Sequence, residues 1–270
     1  MKKVLVLLAS ILILCSHGLF LKTNAYYLGT YEESEIFPFS FTHNERDNTL
    51  NKDRIIHAEI VGNDYDFIPD EKDWYDHDDA TYLKFETGAS GTYVAGISTS
   101  ERIIEMSGAD FNDYLEHDGV IDILESRKEK NLQDEPVKEK YAKHVKAIIQ
   151  VSYEKSKHYK KVFGYPVEFV PESNPYLAKQ GDEITFTLLK NSKPFANHLV
   201  YFGKSIKAEH GHGHFHDDKE GAVITDTNGK VTIKVDHKGK WYLRTIDMVE
   251  SNLDNVDYIS NWGTLKFEIR

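Results

Sequence analysis

The chain has 270 residues, of which 40% are hydrophobic and 29% charged, and its formal net charge is −11 at pH 7. This composition excludes disordered and fibrous classes, and the length allows one large domain or two of ordinary size. The negative charge argues against nucleic acid or an anionic membrane surface as a partner, and it favours cations.

The N-terminus has the pattern of a secretory signal. Two lysines precede an apolar run from Val4 to Leu14, and a short basic region before about a dozen apolar residues is typical of exported proteins. We therefore predict a periplasmic or secreted protein. Cleavage after Ala25 fits the local sequence best, whereas cleavage after Ser16 would leave His17 first, with its amine and imidazole forming a chelating pair.

Residues 17–107 are predicted to form a mostly β module. Runs of β-branched and aromatic residues at 55–61, 81–86 and 92–97 are separated by turns rich in Gly, Asn and Asp. Gly88 and Gly91 lie between the last two runs, which predicts a hairpin there. The acidic stretch over residues 64–79 lacks the ligand spacing that calcium requires, so we predict a solvated loop.

Residues 108–163 are predicted to form a helical hairpin inserted between β regions. Apolar residues recur at helical spacing in two groups, first Phe111, Tyr114, Leu115, Ile121 and Leu124, then Tyr141, Val145, Ile148 and Ile149. Ser107 or Asp110 could cap the first helix. Three histidines of this region are predicted to be surface or interhelix residues rather than ligands: His117, His144 and His158.

Residues 164–270 are predicted to form a compact β-sandwich. Apolar residues alternate with mostly polar ones in five short stretches, at 167–169, 184–188, 231–235, 241–243 and 265–269, so each strand would bury one face. About seven short strands in about 105 residues suit an immunoglobulin-like or transthyretin-like sandwich. We therefore predict a mainly β fold with two β-sandwich-like modules and an inserted helical hairpin.

The segment over residues 209–218 carries the clearest functional signal. Four of the thirteen histidines occupy alternate positions in it: His210, His212, His214 and His216. In an extended segment alternate side chains share one face, and the intervening glycines let the backbone curl, so the imidazoles could share one ion. Neutral imidazole suits nickel, cobalt, zinc and copper, which predicts a divalent transition-metal site. The alternative is a solvated loop that binds metal only as a histidine tag would.

The sequence lacks the common motifs of hydrolases. It contains no GxSxG and no HExxH, and no two carboxylates have an interpretable spacing. We therefore predict a protein that is not an enzyme. A copper enzyme built on the amine and imidazole of His17 is a minor alternative, and it requires cleavage after Ser16.

Several stretches together resemble a known family of exported bacterial proteins. They are HGLFLK (17–22), GTYVAG (91–96), FNDYLEHDG (111–119), GYPVE (164–168), NPY (174–176), WYLR (241–244) and NWGTLKF (261–267). The family is domain of unknown function 4198, distantly related to periplasmic nickel/cobalt-uptake components. The resemblance implies a mature start at His17, hence a signal peptide over residues 1–16, and a role in metal transport or homeostasis.

The residues and the resemblance together predict an exported protein that binds a divalent transition metal through His17 and the four histidines of residues 209–218. Its expected partners are the metal ion and an inner- or outer-membrane metal transporter, with no nucleic acid. The alternative is a non-catalytic β-sandwich module that binds a protein or a glycan and takes up metal only adventitiously.

Overall fold

The computed structural model describes residues 18–40, 50–77, 80–204 and 221–270. The strands, in chain order, are β1 (Leu19–Thr23), β2 (Tyr27–Leu28), β3 (Glu33–Ser40), β4 (Ile55–Gly62), β5 (Tyr65–Phe67), β6 (Trp74–His77), β7 (Ala80–Glu86), β8 (Gly91–Thr99), β9 (Arg102–Met106), β10 (Val137–Val151), β11 (Val167–Pro171), β12 (Glu183–Lys190), β13 (Lys193–Pro194), β14 (Leu199–Lys204), β15 (Gly221–Ile224), β16 (Lys230–Lys234), β17 (Gly239–Glu250) and β18 (Tyr258–Ile269). Between β9 and β10 lie α1 (Gly108–Asp118) and α2 (Ile121–Glu129). The fold is therefore mainly β, as predicted.

The strands form three sheets. The N-terminal sheet has the order β1-β3-β7-β6, and the C-terminal sheet has the order β11-β12-β13, with β16 also paired to β12. The ten-stranded central sheet has the order β15-β14-β17-β18-β10-β8-β4-β5, with β2 and β9 also paired to β10. Because β10 pairs parallel with β18 and antiparallel with β8, strands from both ends of the chain share one sheet.

The central sheet is covered on both faces, because neighbouring residues of its strands enter different cores. Tyr93 and Ala95 of β8 belong to a core that contains Leu83 of the N-terminal sheet. Val94, between them, belongs to a core that contains Phe186 of the C-terminal sheet. The predicted β-sandwich packing is thus confirmed, and the two sandwiches share their middle sheet.

The predicted second helix is wrong, since Tyr141, Val145, Ile148 and Ile149 all lie on strand β10. Val145 and Ile149 enter the core of the N-terminal sheet, whereas Ile148 enters that of the C-terminal sheet. A strand that is buried on both faces has no polar residue at every second position. Its apolar residues can therefore match a helical period by chance. The helical insertion accordingly ends with α2 rather than at residue 163.

The first predicted helix is confirmed in part, since α1 ends at Asp118 and the predicted residues Ile121 and Leu124 lie on the separate helix α2. Ser107 is the N-cap of α1 and accepts a hydrogen bond from the backbone N–H of Asp110. Gly119 ends α1 in the left-handed conformation with a φ of 76°, which a glycine adopts without steric cost. Phe111 and Leu115 of α1 pack in a third core with Trp262 of the central sheet. Among the described residues no helix is long and apolar enough to cross a membrane.

The hairpin predicted at Gly88 and Gly91 is wrong. β7 pairs with β3 and β6 in the N-terminal sheet, and β8 pairs with β4 and β10 in the central sheet, so the chain crosses between layers there. A Cβ atom at Gly88 would lie 2.9 Å from Cδ2 of Tyr65, and one at Gly91 would lie 2.9 Å from Cβ of Asn63. These glycines therefore permit close packing rather than a hairpin turn.

The acidic stretch over residues 64–79 is only partly a loop. It contains β5 and β6, while Asp66, Asp70 and Asp76 are exposed to solvent as predicted. Their exposure agrees with a solvated surface.

A buried ion pair joins the central and C-terminal sheets. Nζ of Lys146 on β10 lies 2.9 Å from Oε2 of Glu168 on β11, and both side chains are almost fully buried. The ammonium also donates hydrogen bonds to the carbonyl oxygens of Lys161 and Phe169, at 3.0 and 2.9 Å. The carboxylate accepts hydrogen bonds from three successive backbone N–H groups, those of residues 163–165. The pair is therefore fully hydrogen-bonded, and it fixes this loop on the sheet.

A second buried carboxylate, that of Glu139 on β10, anchors α1 to the central sheet. Its Oε1 atom accepts hydrogen bonds from the hydroxyl of Tyr114, at 3.2 Å, and from the hydroxyl of Ser260 on β18. Its Oε2 atom is buried and has no hydrogen-bond partner in the described part of the chain. Burial is the main cause that raises the pKa of Glu139 from its usual 4.5 to about 7. Burial likewise lowers the pKa of the neighbouring Lys143 to about 8.

Replacing Glu168 with Ala should lower the free energy of unfolding by about 3–5 kcal/mol, because the Lys146 ammonium would stay buried without its partner. Urea denaturation followed by circular dichroism measures this loss. The matched control is Glu105→Ala, which removes an exposed ion pair with Lys138 and should barely change the denaturation midpoint. Equal losses in the two variants would contradict the importance of the buried pair.

The stability of the protein should depend on pH through Glu139. Because its pKa is raised from 4.5 to about 7 on folding, the folded state binds the proton more tightly, and the free energy of unfolding should fall as pH rises through this window. The expected loss is on the order of 3 kcal/mol. The side chain of the Glu139→Gln variant cannot ionise. The free energy of unfolding of this variant, minus that of wild type, should therefore be larger at about pH 8 than at about pH 5. Urea denaturation of both proteins at these two pH values measures the difference, and identical pH dependences would show that Glu139 does not titrate there.

Candidate functional site

The five histidines predicted as metal ligands lie outside the described residues: His17, His210, His212, His214 and His216. The structure does fix where the histidine segment, residues 209–218, joins the fold. β14 ends at Lys204 and β15 begins at Gly221, and the two strands pair antiparallel with Phe202 opposite Gly221. Since β15 is the edge strand of the central sheet, both attachments of the segment lie together at this edge.

A histidine that the sequence analysis did not identify lies beside this attachment. Lys204 is opposite Trp241 of β17, and the ring of His237 stacks on that of Trp241 with 4.0 Å between centroids. The indole N–H of Trp241 donates a hydrogen bond to the carbonyl oxygen of His237, at 3.2 Å. Ring and backbone contacts together hold this imidazole in place. Only the strand register brings His237 close to Lys204, and that register cannot be read from the sequence.

His237 has one ring nitrogen hydrogen-bonded and the other buried without a partner in the described part of the chain. Its Nδ1 atom lies 2.6 Å from Oδ1 of Asp236, and the hydrogen bond from His237 is the main cause that holds the pKa of Asp236 below its usual value. With Nδ1 assigned as the donor, Nε2 carries the lone pair. Nε2 is buried and has no hydrogen-bond partner among the described residues. Histidines that bind metals typically donate their second N–H to a carboxylate in this way.

The first described residues of the chain pack on the central sheet, against β17 and β18. The carbonyl oxygen of Leu19 accepts a hydrogen bond from the Thr264 hydroxyl of β18, at 2.9 Å. The ring of Phe20 lies 5.2 Å from that of Tyr242 on β17, and Tyr242 is opposite Gly203 of β14. The start of β1 and the end of β14 therefore attach to neighbouring strands of the central sheet.

No three His, Cys, Asp or Glu side chains of residues 18–40, 50–77, 80–204 and 221–270 come together as a group that could hold a metal ion. His237 would supply a single ligand. A metal held at this edge of the sheet would therefore need further ligands from other parts of the chain.

His144 has a structural role. It is buried on β10, rather than lying on the surface or between helices as predicted. Its Nδ1 atom lies 2.9 Å from Oγ of Ser98, its Nε2 atom lies 3.2 Å from Oδ1 of Asn261, and its ring stacks on that of Tyr165. Burial lowers the pKa of His144. Both nitrogens are thus hydrogen-bonded to neighbouring strands, which holds the imidazole within the central sheet.

Comparison with solved structures finds distant similarities. The chain is similar to the D0-D1 domain of intimin, with 11% identity, a TM-score of 0.21 and coverage of 92% of this chain and 96% of that chain. For Salmonella alpha-2-macroglobulin reacted with methylamine, the identity is 9% and the TM-score is 0.25, with coverage of 93% of this chain and 15% of that chain. For the Yersinia pseudotuberculosis adhesin InvE, the identity is 10% and the TM-score is 0.22, with coverage of 93% of this chain and 58% of that chain. No curated protein matches the chain.

Comparison with protein families gives a match over most of the chain. The family described as Domain of unknown function (DUF4198) matches residues 16–248. This range includes α1, the central strand β10 and the strand pair β14–β15. The resemblance seen in the sequence is thereby confirmed, and the chain belongs to the DUF4198 family.

Proposed function

We propose that this protein is an exported metal-binding protein that captures a divalent transition metal ion, nickel, cobalt, zinc or copper, for uptake or homeostasis. His210, His212, His214 and His216 supply the imidazoles, and His17 is a second candidate ligand. The protein acts in the periplasm or outside the cell after removal of a signal peptide over residues 1–16, and it passes the ion to a membrane metal transporter. The protein is not itself an enzyme.

The observation that carries this proposal is His237 at the attachment of the histidine segment. Its Nε2 lone pair is unused by the described residues, and its Nδ1 is held by Asp236. A buried imidazole nitrogen without a partner calls for an explanation, and a metal ion bound nearby supplies one. The net charge of −11 favours a cation as the ligand.

The second candidate function is binding of a protein or glycan, and a row of aromatic rings on the outer face of the N-terminal sheet favours it. The ring of Tyr82 lies 4.7 Å from that of Phe37 and 5.2 Å from that of Tyr75. All three are partly exposed, although the outer face of an antiparallel sheet is ordinarily polar. The Tyr75 hydroxyl donates a hydrogen bond to Glu35, at 2.6 Å. The row also stabilises the sheet by cross-strand contact, which is a sufficient reason for its presence.

Untagged mature protein should bind one or two transition-metal ions at defined stoichiometry, with at least micromolar affinity. Replacing His210, His212, His214 and His216 with Gln should remove most of this binding, because imidazole nitrogens are the proposed ligands. Isothermal titration measures affinity, and native mass spectrometry reports the bound ions together with the mature N-terminus. The control variant replaces His77, His117 and His158 with Gln and should bind as wild type does.

Non-stoichiometric uptake, or equal loss in both variants, would contradict the metal proposal and favour the aromatic row as the functional surface. A mature chain that begins at Tyr26 would exclude His17 as a ligand, and with it the copper-enzyme alternative.

Metal binding should be lost between about pH 7 and pH 5, because a protonated imidazole cannot bind a metal and the usual histidine pKa is near 6.5. Equilibrium dialysis at graded pH, with metal quantified by mass spectrometry, measures the release. Retention of metal at the acid end of this range would point to carboxylate ligands instead of imidazoles.

A further inference from the structure

Three large side chains outside the strands are strongly exposed. Tyr31 is 73% exposed, Tyr153 86% and Leu177 65%. Singly exposed apolar residues are ordinary on protein surfaces. Two features of their loops distinguish these tyrosines from ordinary exposed apolar residues. The loop backbones are held by hydrogen bonds, and they contain strained residues.

The three loops meet around β2. The backbone N–H of Ser152 donates a hydrogen bond to the carbonyl oxygen of Leu28, at 2.8 Å, which joins the loop of Tyr153 to the loop of Tyr31. The ring of Tyr176, next to Leu177, lies 4.9 Å from that of Tyr27. The three loops therefore lie next to β2, and we name their surface the β2 end, defined by Tyr31, Tyr153, Glu154, Lys155 and Leu177.

The loop of Tyr31 is held rigidly by its neighbours. The backbone N–H of Gly29 donates a hydrogen bond to the carboxylate of Glu32. The Thr87 hydroxyl donates to the carbonyl oxygen of Gly29, at 2.7 Å, and accepts from the N–H of Glu32, at 2.9 Å. Tyr31 itself has a φ of 55°, which is a strained conformation for a bulky residue. The loop thus holds Tyr31 in solvent despite an unfavourable backbone.

The loop of Tyr153 is rigid in the same way. The buried amide of Gln150 donates hydrogen bonds to the carbonyl oxygens of Ser152, at 3.1 Å, and Glu154, at 2.7 Å. The N–H of Glu154 donates to the hydroxyl of Ser90, at 2.9 Å. Ser152, which precedes the exposed tyrosine, has a φ of 55°. The backbone that carries each tyrosine is therefore held by hydrogen bonds before any partner binds, which reduces the entropy that the two loops lose on binding.

The β2 end carries charges of both signs. Glu154 is exposed beside Lys155, and Glu32 is exposed beside Tyr31. Arg270 lies within electrostatic reach of Lys155. A surface that holds both signs next to apolar anchors can complement itself, which is the requirement for two identical surfaces related by a two-fold axis.

We propose that the β2 end binds the β2 end of a second copy of this chain, giving a two-fold symmetric dimer. Tyr31 and Tyr153 are the anchors of this interface, in keeping with the enrichment of tyrosine at positions that dominate binding. Lys155 of one copy faces Glu154 of the other, and by symmetry the pair occurs twice. The proposal is independent of metal binding, because the β2 end uses none of the proposed metal ligands.

Sedimentation velocity of the untagged protein, between about 1 and 100 µM, tests the proposal. Wild type should form a dimer that dissociates on dilution. The double variant Tyr31→Ala with Tyr153→Ala should raise the dissociation constant at least about tenfold. The matched control, Ile103→Ala with Ile224→Ala, removes two exposed apolar residues outside the β2 end and should leave the constant unchanged. Circular dichroism checks that both variants stay folded.

A charge exchange tests the symmetry. Lys155→Glu should weaken the dimer by placing two carboxylates together, and adding Glu154→Lys to that variant should restore it. A protein that is monomeric at every concentration, or a dimer unaffected by the tyrosine double variant, would overturn the proposal. Failure of the double charge exchange to restore the dimer would overturn the pairing of Lys155 with Glu154.

Discussion

The fold depends on one constraint: a sheet that is covered on both faces excludes water from the polar side chains that it buries. Each of these groups therefore needs a partner within the protein. Lys146 meets the requirement with Glu168 and two carbonyl oxygens, and His144 meets it with Ser98 and Asn261. Such networks add little stability over an apolar core, but they allow few alternative arrangements of the layers. In this protein they hold the C-terminal sheet and its preceding loop in a fixed position on the central sheet.

Strands with one solvent-exposed face could be predicted from the sequence, and strands with both faces buried could not. Ile184, Phe186 and Leu188 alternate with polar residues, and they lie on β12 as predicted. β10 is buried on both sides, so its apolar residues do not alternate with polar ones and their spacing also fits a helix. Gly88 follows β7 and Gly91 begins β8, but the sequence does not indicate that β8 joins a different sheet, because the sheet that a strand joins depends on distant partners.

The candidate site shows the same limit. The histidine segment is evident from residue types alone, since four imidazoles at alternate positions form an unusual local pattern. The contribution of His237 depends instead on the pairing of β14 with β17, which places Trp241 opposite Lys204. A side chain that is brought to a site by strand register has no local sequence signal.

The parallel pairing of β10 with β18 has a consequence for how the chain acquires its structure. Residues 139–147 pair with residues 258–266, so the middle of the central sheet cannot close until almost the whole chain is available. A topology dominated by such distant contacts folds slowly. Until β18 pairs with it, β10 has an unpaired edge that can pair with strands of other chains. Completion of the sheet by β18 covers this edge, so the last strand of the chain also protects β10 from such association.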